Sequence, residues 1–210
     1  VRTGRLWVTA ELDPATIREE KLTQGGVLGV TVTDAAGAPV GQAEVPLVAG
    51  ARAVAAEIST TTAPIEAAEL IVRLRLSGGS LPLTDTVRVA LPDAASPVST
   101  ARLFRASAAT RQQFVATADP RFRRNEKVRV EVPLAAGASA VTAELLDQSG
   151  KLMTAIPVAS ALRPVDDAGL GWASADLALA PLSTGDYVLR LSVTTADGST
   201  RTMTGFRLVP

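Results

Sequence analysis

The stretch Leu182-Ser183-Thr184-Gly185-Asp186-Tyr187-Val188-Leu189-Arg190-Leu191-Ser192-Val193 is the part of this sequence that decides the fold. From Tyr187 onward, every second residue is apolar. Side chains along a β-strand point to opposite faces in turn, so this period predicts a half-buried strand of an antiparallel sheet. The same period predicts three more strands, at residues 6–12, 70–76 and 128–132.

Turn residues separate these segments. Hairpins need positions with positive φ angles, which Gly, Asn and Asp adopt most readily. Short strands with a turn about every 8–12 residues are typical of a sandwich or barrel, so the chain is expected to be all-β. One helical signal covers residues 13–22, where Asp13 can cap a turn and Pro14 fits its first position. The turn signals are Gly25-Gly26, Asp34-Ala35-Ala36-Gly37, Ala49-Gly50, Gly78-Gly79, Gln148-Ser149-Gly150 and Asp197-Gly198.

A domain boundary is predicted at Pro92-Asp93-Ala94-Ala95-Ser96-Pro97. Two prolines bracket small and polar residues directly after an apolar strand, a composition typical of a linker. The boundary leaves domains at 1–93 and 100–210, each near the size of an immunoglobulin-like sandwich of about 100 residues.

The two halves also resemble each other. Residues 30–37 match 143–150 as a strand that runs into an Asp-x-x-Gly turn, and Ile65-x-x-Ala68-x-Leu70 matches Leu182-x-x-Gly185-x-Tyr187. The repetition favours tandem sandwiches over one large barrel.

The segment around Tyr187, the only tyrosine, resembles a corner of immunoglobulin-like and fibronectin III-like sandwiches. In those folds the tyrosine hydroxyl bonds to backbone upstream. Gly185 and Tyr187 are therefore expected to have structural roles, whereas the first half carries Leu70 at this position and lacks the hydroxyl. The expected fold class is two tandem immunoglobulin- or fibronectin III-like antiparallel β-sandwiches.

Composition excludes several classes of function. Lys+Arg and Asp+Glu number 21 each, and this neutral balance argues against nucleic acid, for which a basic stripe is expected. His and Cys are absent, which removes imidazole and thiolate metal sites, disulfides and nucleophiles that depend on a histidine base. No apolar stretch approaches the roughly 18 residues of a membrane span. We expect no enzyme activity, no cofactor and no small ligand.

Five segments of the sequence resemble the region that follows the von Willebrand A domain in exported proteins of Acidobacteria and related bacteria. They are residues 4–13, 32–37, 81–89, 118–130 and 185–191. The resemblance implies an exported protein, periplasmic or at the cell surface, with tandem sandwich modules and no enzyme activity. The Asp-x-Ser-x-Ser metal motif of the von Willebrand A domain is missing here, so its metal-dependent adhesion is not carried over.

Acidic residues give no convincing metal site. Asp147-Gln148-Ser149-Gly150-Lys151 is the nearest approach to the missing motif, but Asp, Ser and Gly each favour a hairpin turn there. The adjacent pairs Asp166-Asp167 and Glu19-Glu20 do not form the spaced oxygen ligands that calcium needs. No metal site is expected, and added calcium or chelator should leave the melting temperature unchanged.

Two places are candidates for partner binding. The one basic cluster is Arg121-Phe122-Arg123-Arg124, followed by Lys127 and Arg129, and it could bind a phosphate, a glycan acid or the carboxylates of a partner through bidentate contacts. Its alternative role is to protect an edge strand with charge. Trp7 lies on the polar face of its strand, opposite Leu6 and Val8. It is expected either to contact a neighbouring domain or to lie beneath the 13–22 connection.

The sequence thus predicts a non-catalytic structural or protein-interaction module of a larger exported bacterial protein. Its partner would be another protein or a neighbouring domain of the same chain. The alternatives left open are a carbohydrate- or peptide-binding sandwich and a hydrolase fragment that uses carboxylates alone. Trp172, which follows Gly169 and Gly171, is expected in a loop at one end of the second sandwich.

Overall fold

The computed structural model describes residues 4–19, 22–61, 65–91, 100–134, 138–163, 170–196 and 198–210. The chain divides into two compact units, Arg2–Ala94 and Ala95–Pro210. Nearly all regular structure is antiparallel strand, so the all-β prediction is confirmed. The predicted linker at 92–97 lies outside the described residues.

In the first unit, the described residues form six strands in two sheets. A two-stranded sheet pairs β1 with β4, and a four-stranded sheet has the order β3-β2-β5-β6. One short helix, α1, and a 3-10 turn at Leu22–Gln24 connect β1 to β2. The elements are β1 Arg5–Glu11, α1 Pro14–Glu19, β2 Gly26–Asp34, β3 Pro39–Leu47, β4 Ala53–Ser59, β5 Glu69–Ser77 and β6 Leu83–Ala90.

Both sheets of the first unit contribute to one core. Ala56 and Ile58 come from β4, and Val30, Val32 and Leu70 come from the four-stranded sheet; all five are nearly inaccessible. Because apolar residues of two sheets meet face to face, the alternation seen in the sequence places one side of each strand in the core. The prediction that Leu6, Val8, Ala10 and Leu12 share the core side of β1 is confirmed, since all four pack against this core.

The predicted helical turn is confirmed and has the expected cap. The Asp13 carboxylate accepts the backbone N–H of Ala15 at 2.8 Å and of Thr16 at 3.1 Å. It also accepts the Thr16 hydroxyl. These bonds satisfy N–H groups that the first turn of a helix leaves without intrahelical partners. Ile17 then packs against the core of the first unit.

The described residues of the second unit form nine strands. One sheet has the order β12-β13-β10-β7-β8 and the other β11-β14-β15-β9. All pairings are antiparallel except that of β9 with β15, which is parallel. The strands are β7 Arg102–Ala106, β8 Val115–Ala116, β9 Arg121–Arg123, β10 Lys127–Leu134, β11 Ala140–Asp147, β12 Ala159–Arg163, β13 Gly171–Ala178, β14 Gly185–Thr195 and β15 Gly198–Val209.

Alternation again builds the core of this unit. Val128, Val130 and Val132 on β10 face Leu189 and Leu191 on β14, and none of them is exposed to solvent. The residues between them lie on the outer faces of the two sheets and include both charged and uncharged side chains. Strand boundaries thus follow the period-two segments of the sequence closely.

The two halves share a turn, as the repeat in the sequence predicts. The Asp34 carboxylate accepts the N–H of Ala38 at 2.8 Å, and Gly37 donates to the Asp34 carbonyl oxygen at 3.1 Å. In the second half the Asp147 carboxylate accepts the N–H of Lys151 at 3.0 Å, and Gly150 donates to the Asp147 carbonyl oxygen at 2.9 Å. Gly37 and Gly150 have φ angles of 90° and 80°, which favour glycine.

Strand pairings recur as well. The antiparallel pairs β1–β4, β2–β5 and β5–β6 of the first unit correspond to β10–β13, β11–β14 and β14–β15 of the second. The last strand of each hairpin differs in its surroundings. β15 carries β9 on its outer side, whereas β6 is the last of the described strands in its sheet.

Candidate interaction surfaces

β6 is an exposed strand with apolar side chains on the side that faces the core. Val87 and Val89 pair with Val72 and Leu70 of β5, which are buried in the core. Cross-strand partners share one face of a sheet, so Val87 and Val89 also point to the inner face. They nevertheless remain 43% and 38% exposed. The inner face of the sheet is therefore uncovered at its β6 end.

The outer edge of β6 offers backbone groups for strand pairing. Leu91, directly after β6, donates its N–H to the Ala68 carbonyl oxygen at 2.9 Å. This bond shows which backbone groups of the strand point toward β5. Because hydrogen-bonding direction alternates along an antiparallel strand, the backbone groups of Arg88 and Ala90 point away from β5. Within the described ranges, these groups have no hydrogen-bond partner. The edge is open over this C-terminal half of the strand.

The N-terminal half of the same edge is protected. The outward N–H of Thr86 donates to the carboxylate of Asp85 at 2.7 Å. Asp85 pairs with Leu74 and so places a charge on the inner face. Inward-pointing charge is one way in which sheet edges avoid unspecific pairing. Strand addition is therefore favoured only near Arg88 and Ala90.

The corresponding edge of the second unit is occupied. Tyr187 pairs with Phe206 as Leu70 pairs with Val89, so Phe206 on β15 is the counterpart of Val89. β9 runs parallel to β15 there and brings Phe122 to within 6.0 Å of Phe206, ring centroid to ring centroid, in an edge-to-face contact. Phe206 is only 3% exposed, against 38% for Val89.

The predicted basic cluster is this covering strand, and one of its residues needs correction. Phe122 is 0% exposed, so it is a core residue and not part of a partner-binding surface. The strand period that turns Arg121 and Arg123 outward turns Phe122 inward. Sequence reasoning missed this because three residues are too few to display a period.

The arginines of the cluster bond mainly within the unit. Arg121 pairs with Asp119 through its Nε at 2.8 Å and holds the pKa of that carboxyl below its usual value. Arg124 donates to the Ala180 carbonyl oxygen at 2.8 Å, and the backbone N–H of Arg123 donates to Glu126 at 2.7 Å. Charged and exposed at the end of a sheet, Arg121 and Arg123 fit the alternative role of edge protection.

Arg129, downstream of that cluster, belongs to a different surface. Its Nε and one terminal nitrogen each donate to Asp176 at 2.6 Å, and the side chain lies 4.0 Å from the centroid of the Phe114 ring. The hydrogen bonds to Asp176 raise the pKa of Arg129 above its usual value. Arg129 is thus engaged by an acid and an aromatic ring of its own unit.

A buried carboxylate that the sequence did not single out organises this outer face of the sheet. The Glu131 side chain is 6% exposed and lies 3.1 Å from Arg102, 2.9 Å from Arg163 and 3.9 Å from Arg129. Arg102 also lies 4.4 Å from the Trp172 ring centroid. The only signal for this cluster in the sequence is that Glu131 stands between two apolar residues of the alternating segment 128–132.

Trp172 lies on β13 and not in a loop, contrary to the expectation from its neighbouring glycines. It is opposite Pro133 on β10 and is 8% exposed. Arg102 packs against its face. Gly171 is the first residue of β13 and does not belong to a loop.

Trp7 lies on the face of β1 that the sequence predicts. It is half-buried, pairs with Glu57 of β4 and has the Arg5 guanidinium 5.5 Å from its ring centroid. Arg5 also forms an ion pair with Glu57. Trp7 is not part of the core of the first unit, so the strand assignment stands. Its contact with a neighbouring domain stays a prediction.

The tyrosine hydrogen bond that the corner motif predicts is present. The Tyr187 hydroxyl donates to the Ser183 carbonyl oxygen at 2.8 Å. The ring stacks on Phe206 with centroids 5.7 Å apart. Gly185 lies beside it, where an added Cβ would stand 3.9 Å from Cε2 of the ring. The hydrogen bond of Tyr187 is the one that the motif predicts, and a structural role for Gly185 stays a prediction.

Replacing Tyr187 by Phe should destabilise the second unit by about 1 kcal/mol, the net value of a typical hydrogen bond. The cost falls at the low end because Ser183 is exposed, so water can take over its carbonyl oxygen. Urea unfolding followed by Trp172 fluorescence measures it, since Trp172 is the tryptophan of this unit. A change below about 0.3 kcal/mol would contradict the role of the hydroxyl.

The Asp147 segment is a turn, as its composition predicts. The Asp147 carboxylate accepts the Ser149 hydroxyl at 2.6 Å and the Ser149 N–H at 2.8 Å. The Ser149 hydroxyl, with the N–H of Lys151, holds the pKa of Asp147 below its usual value. Both bonds from Ser149 and the bond from the N–H of Lys151 end on the same oxygen, Oδ1 of Asp147, an arrangement typical of a turn.

Ser149→Ala should raise the pKa of Asp147 towards its usual value. The folded pKa lies below the unfolded one, so the ionised carboxylate stabilises the turn above about pH 4. This contribution disappears as the pH falls through the folded pKa. A carbon-detected NMR titration of the carboxyl group measures the shift, with Ser139→Ala as control. An unchanged pKa would mean that the hydroxyl does not hold the carboxylate.

The described part of the chain contains no group of three or more acidic side chains able to hold a metal ion. The pair Asp166-Asp167 and residue Glu20 of the other pair lie outside the described residues. No helix within the described ranges is long and apolar enough to cross a membrane. Neither protein-family models nor curated proteins give a match to this sequence.

Proposed function

We propose that the chain is a non-catalytic protein-interaction module of a larger exported bacterial protein, built from two immunoglobulin-like sandwiches. It binds its partner by accepting a β-strand at the open edge of β6. Export and the bacterial source rest on the resemblance to regions that follow von Willebrand A domains.

The strand order supports the immunoglobulin-like assignment. In the immunoglobulin fold the first, second, fifth and fourth strands form one sheet, and the third, sixth and seventh form the other. If β7 is counted as the first strand and β9 as its continuation, β7-β10-β13-β12 and β11-β14-β15 follow that order. The hydrogen bond of Tyr187 to upstream backbone adds the corner typical of the fold.

The observation that carries the binding function is the open edge of β6. Arg88 and Ala90 offer backbone groups, and Val87 and Val89 beside them expose apolar surface. Strand addition uses this combination, in which main-chain hydrogen bonds give affinity and alternate side chains give specificity. A carbohydrate platform is less well supported, because none of the aromatic side chains belongs to the exposed residues.

Panning a displayed library of random peptides on the full chain tests this function. We expect extended peptides that bind wild-type protein and lose at least about tenfold in affinity when Ala90 is replaced by Pro. Proline removes the outward N–H at Ala90 and is tolerated on an edge strand. Ala90→Thr keeps the N–H and a good strand former at the same position, so binding should survive in it.

Two results would contradict the proposal. One is the absence of any peptide whose binding depends on the N–H of Ala90. The other is a set of peptides that bind Ala90→Pro as well as they bind the wild-type chain, which would put the binding surface elsewhere.

A further inference from the structure

In the second unit, the edge that corresponds to β6 is the edge of β15, and β9 covers it. Arg207 of β15 donates its N–H to the Pro120 carbonyl oxygen at 2.9 Å, just before β9. Leu208 is then level with Phe122 in a parallel register. Phe122 points inward and covers Phe206. The covering element is therefore short and parallel to β15, with one large apolar side chain between two polar ones.

The same positions can be identified on β6. Since Val89 is the counterpart of Phe206, Ala90 and Leu91 are the counterparts of Arg207 and Leu208. The outward backbone groups of Ala90 correspond to those through which Arg207 pairs with the β9 segment. Leu91 packs partly against the core, as Leu208 does fully. Phe206 is covered by Phe122, whereas Val89 has no such side chain over it. A large apolar side chain in the position of Phe122 would cover Val89.

Charge favours a basic residue next to that side chain. In the second unit Arg207 pairs with Asp186 across the strands at 2.6 Å. In the first unit the residue opposite Glu69 is Ala90, which carries no charge. Glu69 bonds instead to Arg88 at 3.0 Å, and the Arg88 side chain is 71% exposed. Such exposed pairs contribute little to stability, so the pair with Arg88 does not prevent Glu69 from binding a second cation. A basic residue of the partner beside Ala90 could therefore pair with Glu69.

We propose that the strand accepted at β6 is an extended segment of a protein partner that runs parallel to β6. It carries a basic residue beside Ala90, followed by a large apolar residue that inserts over Val89. This inference rests on the proposed function and specifies its ligand. Binding is expected to be weak for an isolated peptide, because only the C-terminal half of the edge is open.

The test uses a peptide with the sequence of residues 117–126, Thr-Ala-Asp-Pro-Arg-Phe-Arg-Arg-Asn-Glu, as a probe of the β9 type. It is titrated into the isotope-labelled full chain and followed by amide NMR. We expect shifts confined to Arg88–Leu91 and their neighbours, with a dissociation constant on the order of 1 mM. A peptide with Ser in place of Phe and a Val89→Asp chain should each weaken binding at least about tenfold.

Orientation gives an independent readout. In the parallel register, a spin label on the N-terminus of the peptide broadens the amide signal of Thr86, whereas a label on its C-terminus does not. An antiparallel strand would reverse this result and overturn the proposal. So would equal binding of the Ser peptide, absence of binding, or shifts at β15, which would mean exchange with β9 itself.

The outcomes separate this inference from the proposed function. Some library peptides could depend on the N–H of Ala90 but run antiparallel to β6, or lack the basic residue followed by an apolar one. Such peptides would support the proposed function and refute the ligand proposed here. Concentration-dependent shifts at β6 without any peptide would identify a second copy of the chain as the occupant and would also refute it. Failure of the library refutes both.

Discussion

Phe122→Ala is expected to lower the free energy of unfolding of the second unit by about 3–5 kcal/mol, the usual cost of removing a fully buried phenylalanine. Phe122 has no exposed surface and packs edge-to-face on Phe206. The variant leaves a cavity between β9 and β15, and β9 is only three residues long. Phe122 is the only residue of this strand that belongs to the core.

The measurement is urea unfolding in a Trp7→Phe background, where Trp172 becomes the only tryptophan. Arg123→Ala is the matched control on the same strand. Its exposed side chain points outward, so the change should stay within about 0.5 kcal/mol. If Phe122→Ala cost less than about 1 kcal/mol, the packing of β9 would contribute little to the unit. The comparison of β6 with β15 would then lose its basis.

Strand positions could be predicted because long alternating segments carry a strong signal. The period of two from Tyr187 onward correctly predicted which side of β14 faces the core. The same reasoning correctly placed Trp7 outside the core of the first unit. Side-chain direction along a strand is purely local. It therefore follows from neighbours in the sequence.

Phe122 could not be assigned in this way. Its burial depends on pairing with Leu208, far along the chain. The run of arginines around it suggested a surface, and that was correct for Arg121 and Arg123 but wrong for Phe122. Local composition does not reveal a strand that is fixed by long-range pairing.

The open edge of β6 could not be predicted from the sequence either. Val87 and Val89 alternate as well as any residues of the sequence, and alternation alone predicts that they are covered. Only the sheet order reveals that β6 ends its sheet. An open edge at β6 therefore does not follow from the alternation of the sequence, and its position comes from the strand order alone.

Glu131→Gln should destabilise the second unit by about 2–3 kcal/mol. The carboxylate bonds to Arg102 and Arg163 and has Arg129 nearby, and hydrogen bonds to charged groups are worth about 1.5–3 kcal/mol each. Glutamine keeps the shape but leaves the arginines without their shared acid. The cost stays below the roughly 3–5 kcal/mol of a fully buried broken pair, because the arginines reach solvent.

The matched control for this cluster is Glu144→Gln. Glu144 accepts two hydrogen bonds from Arg190, at 2.8 and 2.6 Å, but its side chain is 36% exposed. Solvent screens such a pair, so the change should cost no more than about 1 kcal/mol. The two acids differ in burial and also in the number of arginines around them, so the difference between the variants measures the buried cluster as a whole. Equal losses, measured by urea unfolding of the Trp7→Phe chain, would mean that the arginines around Glu131 are as well solvated as Arg190.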